Sequence, residues 1–408
     1  MNNHPDNGRG VLRNRNLMLL WSGQTVSVLG DSVYIIALPL LVLELTRSKP
    51  LTGAVMFAYY LPFILLGAFA GVLVDRFNRK TLMILADLAR ALILLTIPLL
   101  AFLGVLSVSA LFITAFLIAC FTTVFFPARD SIIPHLVAEK RLMQANSLVQ
   151  TSQYMAMVLG ALTASALIQF VGTVHAFTVN AGTFVVSLIL VAAIVLPRRK
   201  GTARHIPLRP LDDLREILRY ITREKRLGQL LLITAIDNLF IMGPAIIGAL
   251  FFVKSHLGKP DQYYAYLEAV FAVGIITGMI LLNRFARRAH KGMLVILGMI
   301  LDGVTYIPFF WCHSFELLVV LMFVHSVCVS LIVVPRAALL QQHMPEKHLG
   351  RIFALVHVMV MGFTALSVGL TGIAAAHVAP PTIFLIAGLG GTACGLIALS
   401  FRSLRTTA

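Results

Sequence analysis

The stretch "GVLVDRFNRK" (residues 71–80) sets Asp75, Arg76, Arg79 and Lys80 close together, directly behind one long apolar run and, from Thr81, directly ahead of another. A helix needs about 20 apolar residues to cross a ~30 Å hydrocarbon core, so a short charged segment between two such runs reads as the turn joining two membrane spans. The alternation continues in both directions. Apolar runs cover residues 17–43, 51–74, 81–103, 107–127, 143–170, 174–196, 228–253, 263–283, 292–311, 315–335, 350–376 and 381–401, twelve in all. Composition agrees: 59% of the residues are hydrophobic and 12% charged, where a soluble domain has about 45–50% and about 25%. The expected fold class is an all-α integral membrane protein with twelve transmembrane helices.

The first run is too long for a signal-peptide core and has no small-residue cleavage site, so it is expected to persist as the first span. Cys120, Cys312, Cys328 and Cys394 fall in or beside apolar segments without metal-ligand spacing. They read as packing residues, and no metal or cofactor is expected.

The net charge of +16 raises the question of a nucleic-acid partner. If the N-terminus is cytoplasmic, only Arg47, Lys49, Lys254 and Lys259 lie outside and Arg90 lies within a span; every other Lys and Arg is cytoplasmic. That is the positive-inside bias that orients helices during insertion. Both termini are therefore expected in the cytoplasm of a bacterial inner-membrane protein, and no nucleic acid is needed to explain the charge.

One connection is longer than the rest. Residues 197–227 place Leu211, Leu214, Leu218 and Ile221 at helical spacing against Asp212, Arg215, Arg219 and Arg223, the pattern of an amphipathic helix lying on the inner membrane surface. It separates a six-helix bundle at 1–196 from a second at 228–408. The two halves look like copies. "DRFNRK" at 75–80 returns as "NRFARR" at 283–288, an offset of 208, and Pro127 in "VFFPAR" is matched by Pro335 in "IVVPRA" at the same offset. Asp31 in "VLGDSVYI" meets Asp237 in "TAIDNLFI" 206 positions on. An even number of spans returns the chain to its starting side, so the duplicates are parallel, an arrangement found in one large class of transporters.

Ionisable residues within spans are costly, about 2.5–3.5 kcal/mol at a helix centre on insertion scales, and mark function. Asp31, near mid-depth in the first span, is the leading candidate for a proton carrier, with Asp237 as its counterpart beside Asn238. Asp87 and Arg90, three apart on one helix face, read as a local ion pair. Glu268 opens the eighth span from the outer side. His325 and His357 lie in spans and could relay protons near neutral pH, but a lone helix histidine reads first as a packing residue. A membrane enzyme would need His-Glu-x-x-His, a clustered acidic metal motif or Gly-x-Ser-x-Gly; none is present in the sequence.

"GVLVDRFNRK" resembles the signature of the second-to-third-helix loop of the major facilitator superfamily, with Asn78 in place of the usual glycine. "GQTVSVLGDSVYIIALPLLVLELT" (23–46), "ADLARAL" (86–92), "FFPARDSIIPHLV" (125–137) and "ANSL" (145–148) resemble its macrolide-efflux and enterobactin-exporter branch. The resemblance implies two six-helix repeats around a central cavity. It implies no enzyme activity, but secondary export of amphiphilic drugs or siderophores by proton antiport, with protons and membrane lipids as further partners and a monomer as the working unit. Asp31 and Asp237 are then the proton-coupling residues. Asp75, Arg76, Arg79, Lys80 and Asp130 form an inner gate, with Asp75 docking on the start of the eleventh span near Gly350. Tyr34, Tyr59, Tyr154, Asn238, Phe240 and His357 lie on or near the cavity as substrate contacts. Asp302 falls on the ninth span, which is peripheral in this architecture. "LGDS" also resembles lysophospholipid transporters, so lipid transport without proton coupling is the alternative. The fourth run, "ALFITAFLIACFTTVFF", contains no arginine.

Overall fold

Asp75 and Arg76 close one helix and Arg79 opens the next, so the charged stretch is the turn between two helices that its sequence suggests. Asn78, where the family signature has glycine, adopts an extended backbone and accepts the Thr81 N–H at 3.3 Å. An asparagine at this position caps a helix by occupying one of its unsatisfied amides.

A computed structural model describes residues 11–138, 141–195, 219, 224–285, 290–343 and 346–405. Among these residues twelve long helices follow one another: α1 (Arg15–Thr46), α2 (Lys49–Arg76), α3 (Arg79–Phe102), α4 (Val108–Leu136), α5 (Leu142–Val171), α6 (Thr173–Ala192), α7 (Lys225–Gly243), α8 (Gln262–Phe285), α9 (Lys291–Tyr306), α10 (Phe315–His343), α11 (Glu346–Ala374) and α12 (Pro380–Ala398). Eleven are long and apolar enough to cross a membrane, and α5 contributes the apolar segment Val158–Val171. The twelve-span reading thus finds a helix for each run. Several helices outlast their apolar runs. α4 continues to Leu136 and α10 to His343, because the polar residues past the hydrocarbon still form helix in the headgroup region, where hydropathy no longer marks them. α7 begins at Lys225, inside the expected linker. The amphipathic helix expected over 197–227 otherwise lies outside the described residues, apart from Arg219 and Glu224.

The repeat is visible in packing. α3 packs on α4 and α6 in the first half, and α9, its counterpart, packs on α10 and α12 in the second. Hydroxyls inside the spans are satisfied locally: Thr122 and Thr123 donate to the carbonyls of Ile118 and Ala119 at 2.8 and 2.7 Å, which hides their polarity from lipid.

The compact units depart from the expected boundaries. One comprises Met1–Leu41 and Leu65–Leu208, the other Val42–Ile64 and Arg209–Ala408. The end of α1 and the first half of α2 therefore group with the second repeat rather than the first. Glycine is the reason. A Cβ at Gly53 would lie 2.8 Å from the Gly372 Cα, so the α2 and α11 backbones touch there, and Phe57 and Ile64 continue the seam over Gly369 and Gly362. Without a hydrophobic drive between helices in lipid, close backbone approach at small residues is what holds such a pair.

α7 is distorted at its end. Pro244 has no amide hydrogen and begins a π-helical stretch, Pro244–Gly248. The Gly243 amide donates to Ser367 Oγ of α11 at 2.7 Å, so a neighbouring helix supplies the partner that this irregular backbone requires.

Candidate functional site

In the first unit, polar side chains from three helices converge on Arg90. Asp31 stands at the midpoint of the 32-residue α1, while Asp87 and Arg90 are one turn apart on α3 and fully buried. Arg90 Nη2 pairs with Asp87 Oδ1. The other Asp87 oxygen accepts the Ser187 hydroxyl of α6 at 2.8 Å. Arg90 Nη1 lies 4.0 Å from Asp31 Oδ2, an ion-pair distance too long for a hydrogen bond, and this nitrogen has no hydrogen-bond partner among the described residues. The guanidinium is sandwiched between Phe125 and Phe184, 4.3 and 4.2 Å from their centroids, which places aromatic faces where water would otherwise solvate the cation. The Asp31 side chain retains 25% exposure, whereas Asp87 and Arg90 have none. Two carboxylates around one guanidinium leave an excess negative charge in an apolar interior, which a single proton cancels. Asp31 is the least enclosed of the three.

The charged stretch of 75–80 is built into this unit. Arg79 Nη1 bonds His135 Nε2 on α4, and Lys80 Nζ donates to the Ala192 and Ile194 carbonyls at 2.7 Å each. Lys80 thus caps the C-terminal end of α6, where orphan carbonyls and the helix dipole favour a cation. Asp130, placed in the inner gate by the sequence, is held by Arg129, with Nη2 at 2.7 Å and Nε at 2.9 Å. Arg129 is the adjacent residue and also stacks on Phe126, so proximity in sequence decides the pairing. Arg76 is exposed. The side chains of Asp75 and of the residues around Gly350, and with them the expected docking, lie outside the described residues, as does the Tyr154 side chain. Tyr34 is a core residue, 2% exposed and edge-on to Phe177 at 5.8 Å.

In the second unit, Tyr59 sits against Tyr60 and Phe63 on α2, and Phe63 against His357 on α11, with centroids 5.1–6.0 Å apart. The sequence placed Tyr59 and His357 on a common surface, and the structure brings them into one aromatic group. Asp237 on α7 is 5% exposed, with Arg336 of α10 as its neighbouring cation. Asn238 is 6% exposed and its amide donates to the Thr234 carbonyl at 2.7 Å. Phe240 lines an apolar groove of about 240 Å³ with Leu239, Pro244, Leu370, Thr371 and Ile386. No group of His, Cys, Asp or Glu among the described residues could hold a metal.

The sequence model of the Major Facilitator Superfamily matches residues 20–288 and 230–408. The chain belongs to the major facilitator superfamily. It is accordingly a multi-pass membrane transporter, and it has relatives in the efflux branch. It is 26% identical to macrolide efflux protein A of Streptococcus pyogenes, over 82% of this chain and 83% of that protein. It is 25% identical to the multidrug efflux pump Tap of Mycobacterium tuberculosis, over 73% and 74%. Among solved structures, the nucleoside transporter NupG superposes with a TM-score of 0.73 at 12% identity, covering 95% of this chain and 99% of that one; at that identity the likeness shows the fold.

Within this superfamily fold, sequence reasoning singled out Asp31 but did not place Arg90 beside it. Arg90 looked like half of a local pair with Asp87, and only the packing of the first-unit helices reveals that its second terminal nitrogen is directed at Asp31. The absence of arginine from the fourth apolar run was the one available signal that the cation had to come from elsewhere.

Proposed function

We propose that this transporter exports amphiphilic small molecules in exchange for protons, with Asp31 as the proton-exchanging carboxylate. The observation that supports it is the charge imbalance around Arg90. One guanidinium serves two carboxylates, and the less enclosed one, Asp31, lacks a hydrogen bond from it. Proton uptake at Asp31 cancels the excess charge and releases Arg90 to Asp87 alone. Relatives that export macrolides and multiple drugs favour amphiphilic substrates, and the Tyr59, Tyr60, Phe63 and His357 group offers the aromatic faces such molecules stack on.

The test is transport into everted membrane vesicles containing the protein, with erythromycin, ethidium and a lysophosphatidylcholine as probes, each with and without an imposed pH gradient. Accumulation of erythromycin or ethidium that depends on the gradient is expected. The apolar groove beside Phe240 favours a second reading, acyl-chain transport; lysolipid movement indifferent to the gradient would replace the first reading with it.

The proposed orientation has both termini in the cytoplasm of a bacterial inner membrane. Single cysteines at Ser48 and Gly258 should react with an impermeant maleimide added to intact cells, and one at Gly201 should not. The opposite pattern reverses the topology.

A further inference from the structure

A second cluster of buried ionisable groups lies in the second unit, apart from Asp31 and unused by the reading above. Asp302 on α9 and His325 on α10 are 2% and 1% exposed. Their closest atoms, Asp302 Oδ1 and His325 Nδ1, are 3.4 Å apart. The Thr305 hydroxyl is 2.9 Å from the same Nδ1 and is 2.8 Å from the Leu301 carbonyl, to which it donates. The hydroxyl is also 3.0 Å from the Asp302 carbonyl; with its hydrogen assigned to these carbonyls it accepts from the ring, which corresponds to the neutral imidazole with hydrogen on Nδ1 and a bare Nε2. His325 Nε2 and Asp302 Oδ1 have no hydrogen-bond partner among the described residues. The ring is fixed in place by Tyr306, stacked at 4.0 Å, with Phe271 at 6.3 Å.

Buried polar atoms are normally paired, and each exception calls for an explanation. Here the exceptions are complementary: an acceptor nitrogen and a carboxylate oxygen at opposite edges of one contact, with a rigid imidazole between them. The ionisable groups around them are Asp302 and Tyr306 from α9, Glu268 from α8, Asp237 from α7 and Cys328 on α10 itself; Arg336 of α10 and Cys394 of α12 lie next to Asp237. Arg336 is the cation facing Asp237. Among the described residues Asp302 therefore has no permanent positive partner of its own, and its charge is left to a proton.

We propose that Asp302 and His325 bind one exchangeable proton between them, forming a second protonation site in the second repeat. With Asp302 ionised and His325 neutral, the pair carries one negative charge. A proton arriving at Nε2 gives an imidazolium–carboxylate pair, and the same proton on Asp302 Oδ1 gives two neutral groups; either way the pair becomes neutral and gains one hydrogen. Its place in transport rests on the antiport reading, but proton binding does not.

The test counts protons. Full-length protein in lipid nanodiscs is titrated between about pH 9 and pH 4, wide enough for a carboxyl and an imidazole displaced by burial, against Asp302→Asn, His325→Gln and the double variant, with empty nanodiscs subtracted. Each single variant should bind one proton fewer than the wild type, and the double variant should lose no more than either single, because the proton is shared. Undiminished uptake in either single variant, or a double variant losing twice as much, overturns the proposal. The wild type supplies a check that needs no altered fold: the nitrogen-15 signal of His325 Nε2, identified by its absence from His325→Gln, should change if the ring takes the proton, and the carbon-13 carboxyl signal of Asp302, identified by its absence from Asp302→Asn, should change if the carboxylate does; constancy of both over the range overturns the proposal. If the wild type fails to accumulate erythromycin or ethidium under a pH gradient, the antiport reading falls while these proton counts stand unaffected.

Discussion

Asp31→Asn should abolish gradient-driven accumulation of erythromycin in everted vesicles, by at least about tenfold, which corresponds to about 1.4 kcal/mol, while leaving downhill exchange of the drug intact. The amide keeps the size of the side chain and removes its charge, leaving Asp87 and Arg90 as a balanced pair. Transport against a gradient needs the proton and the drug to respond to one conformational equilibrium, and a group that cannot release its proton no longer biases that equilibrium. Downhill exchange has no such requirement. The variant protein should also be at least as resistant to heat as the wild type, because the excess negative charge is gone. A variant that still concentrates drug when the pH gradient is imposed would remove Asp31 from the coupling role and leave Asp237 as the next candidate.

The second large effect is on stability. Arg90→Leu leaves Asp87 and Asp31 without their cation and empties the space between Phe125 and Phe184. Removing one partner of a buried pair costs about 3–5 kcal/mol, whereas replacing both by apolar residues is often neutral. Thermal denaturation of the detergent-purified protein should therefore shift down by roughly 10 °C for Arg90→Leu and recover most of that shift in Asp87→Leu/Arg90→Leu. Recovery shows that stranded charge is the cause. If the double variant is as unstable as the single one, packing of the guanidinium between the rings carries the stability instead, and the charge-balance account of the site fails.

What could be read from the residues alone follows from how local each property is. Membrane insertion depends on the hydropathy of contiguous residues, so the spans, their order and the short charged turn at 75–80 were all legible, and so was the duplication, because Pro127 and Pro335 or Asp31 and Asp237 recur at a nearly constant offset. The outer limits of the helices were less legible. Hydropathy marks only the part in hydrocarbon, and α4 and α10 run on past it. That Val42–Ile64 groups by contact with the second set of helices could not be read from the residues, because Gly53 and Gly372, more than 300 positions apart, look ordinary until their backbones touch.

Partner choice among the charged residues belonged to the tertiary structure. Arg90 answers both Asp87, a turn away, and Asp31 on another helix. Lys80 caps α6 from across the first repeat, and Asp130 turned to Arg129. Asp302 stood out in the sequence only as an ionisable residue on a span expected to be peripheral, and its position against His325 of α10 appears only where α9 meets α10. A sequence shows that an ionisable group has entered the membrane, since that cost is incurred residue by residue. Which group compensates it depends on distances between helices, set by glycine seams and ring packing, and these exist only once the helices have assembled.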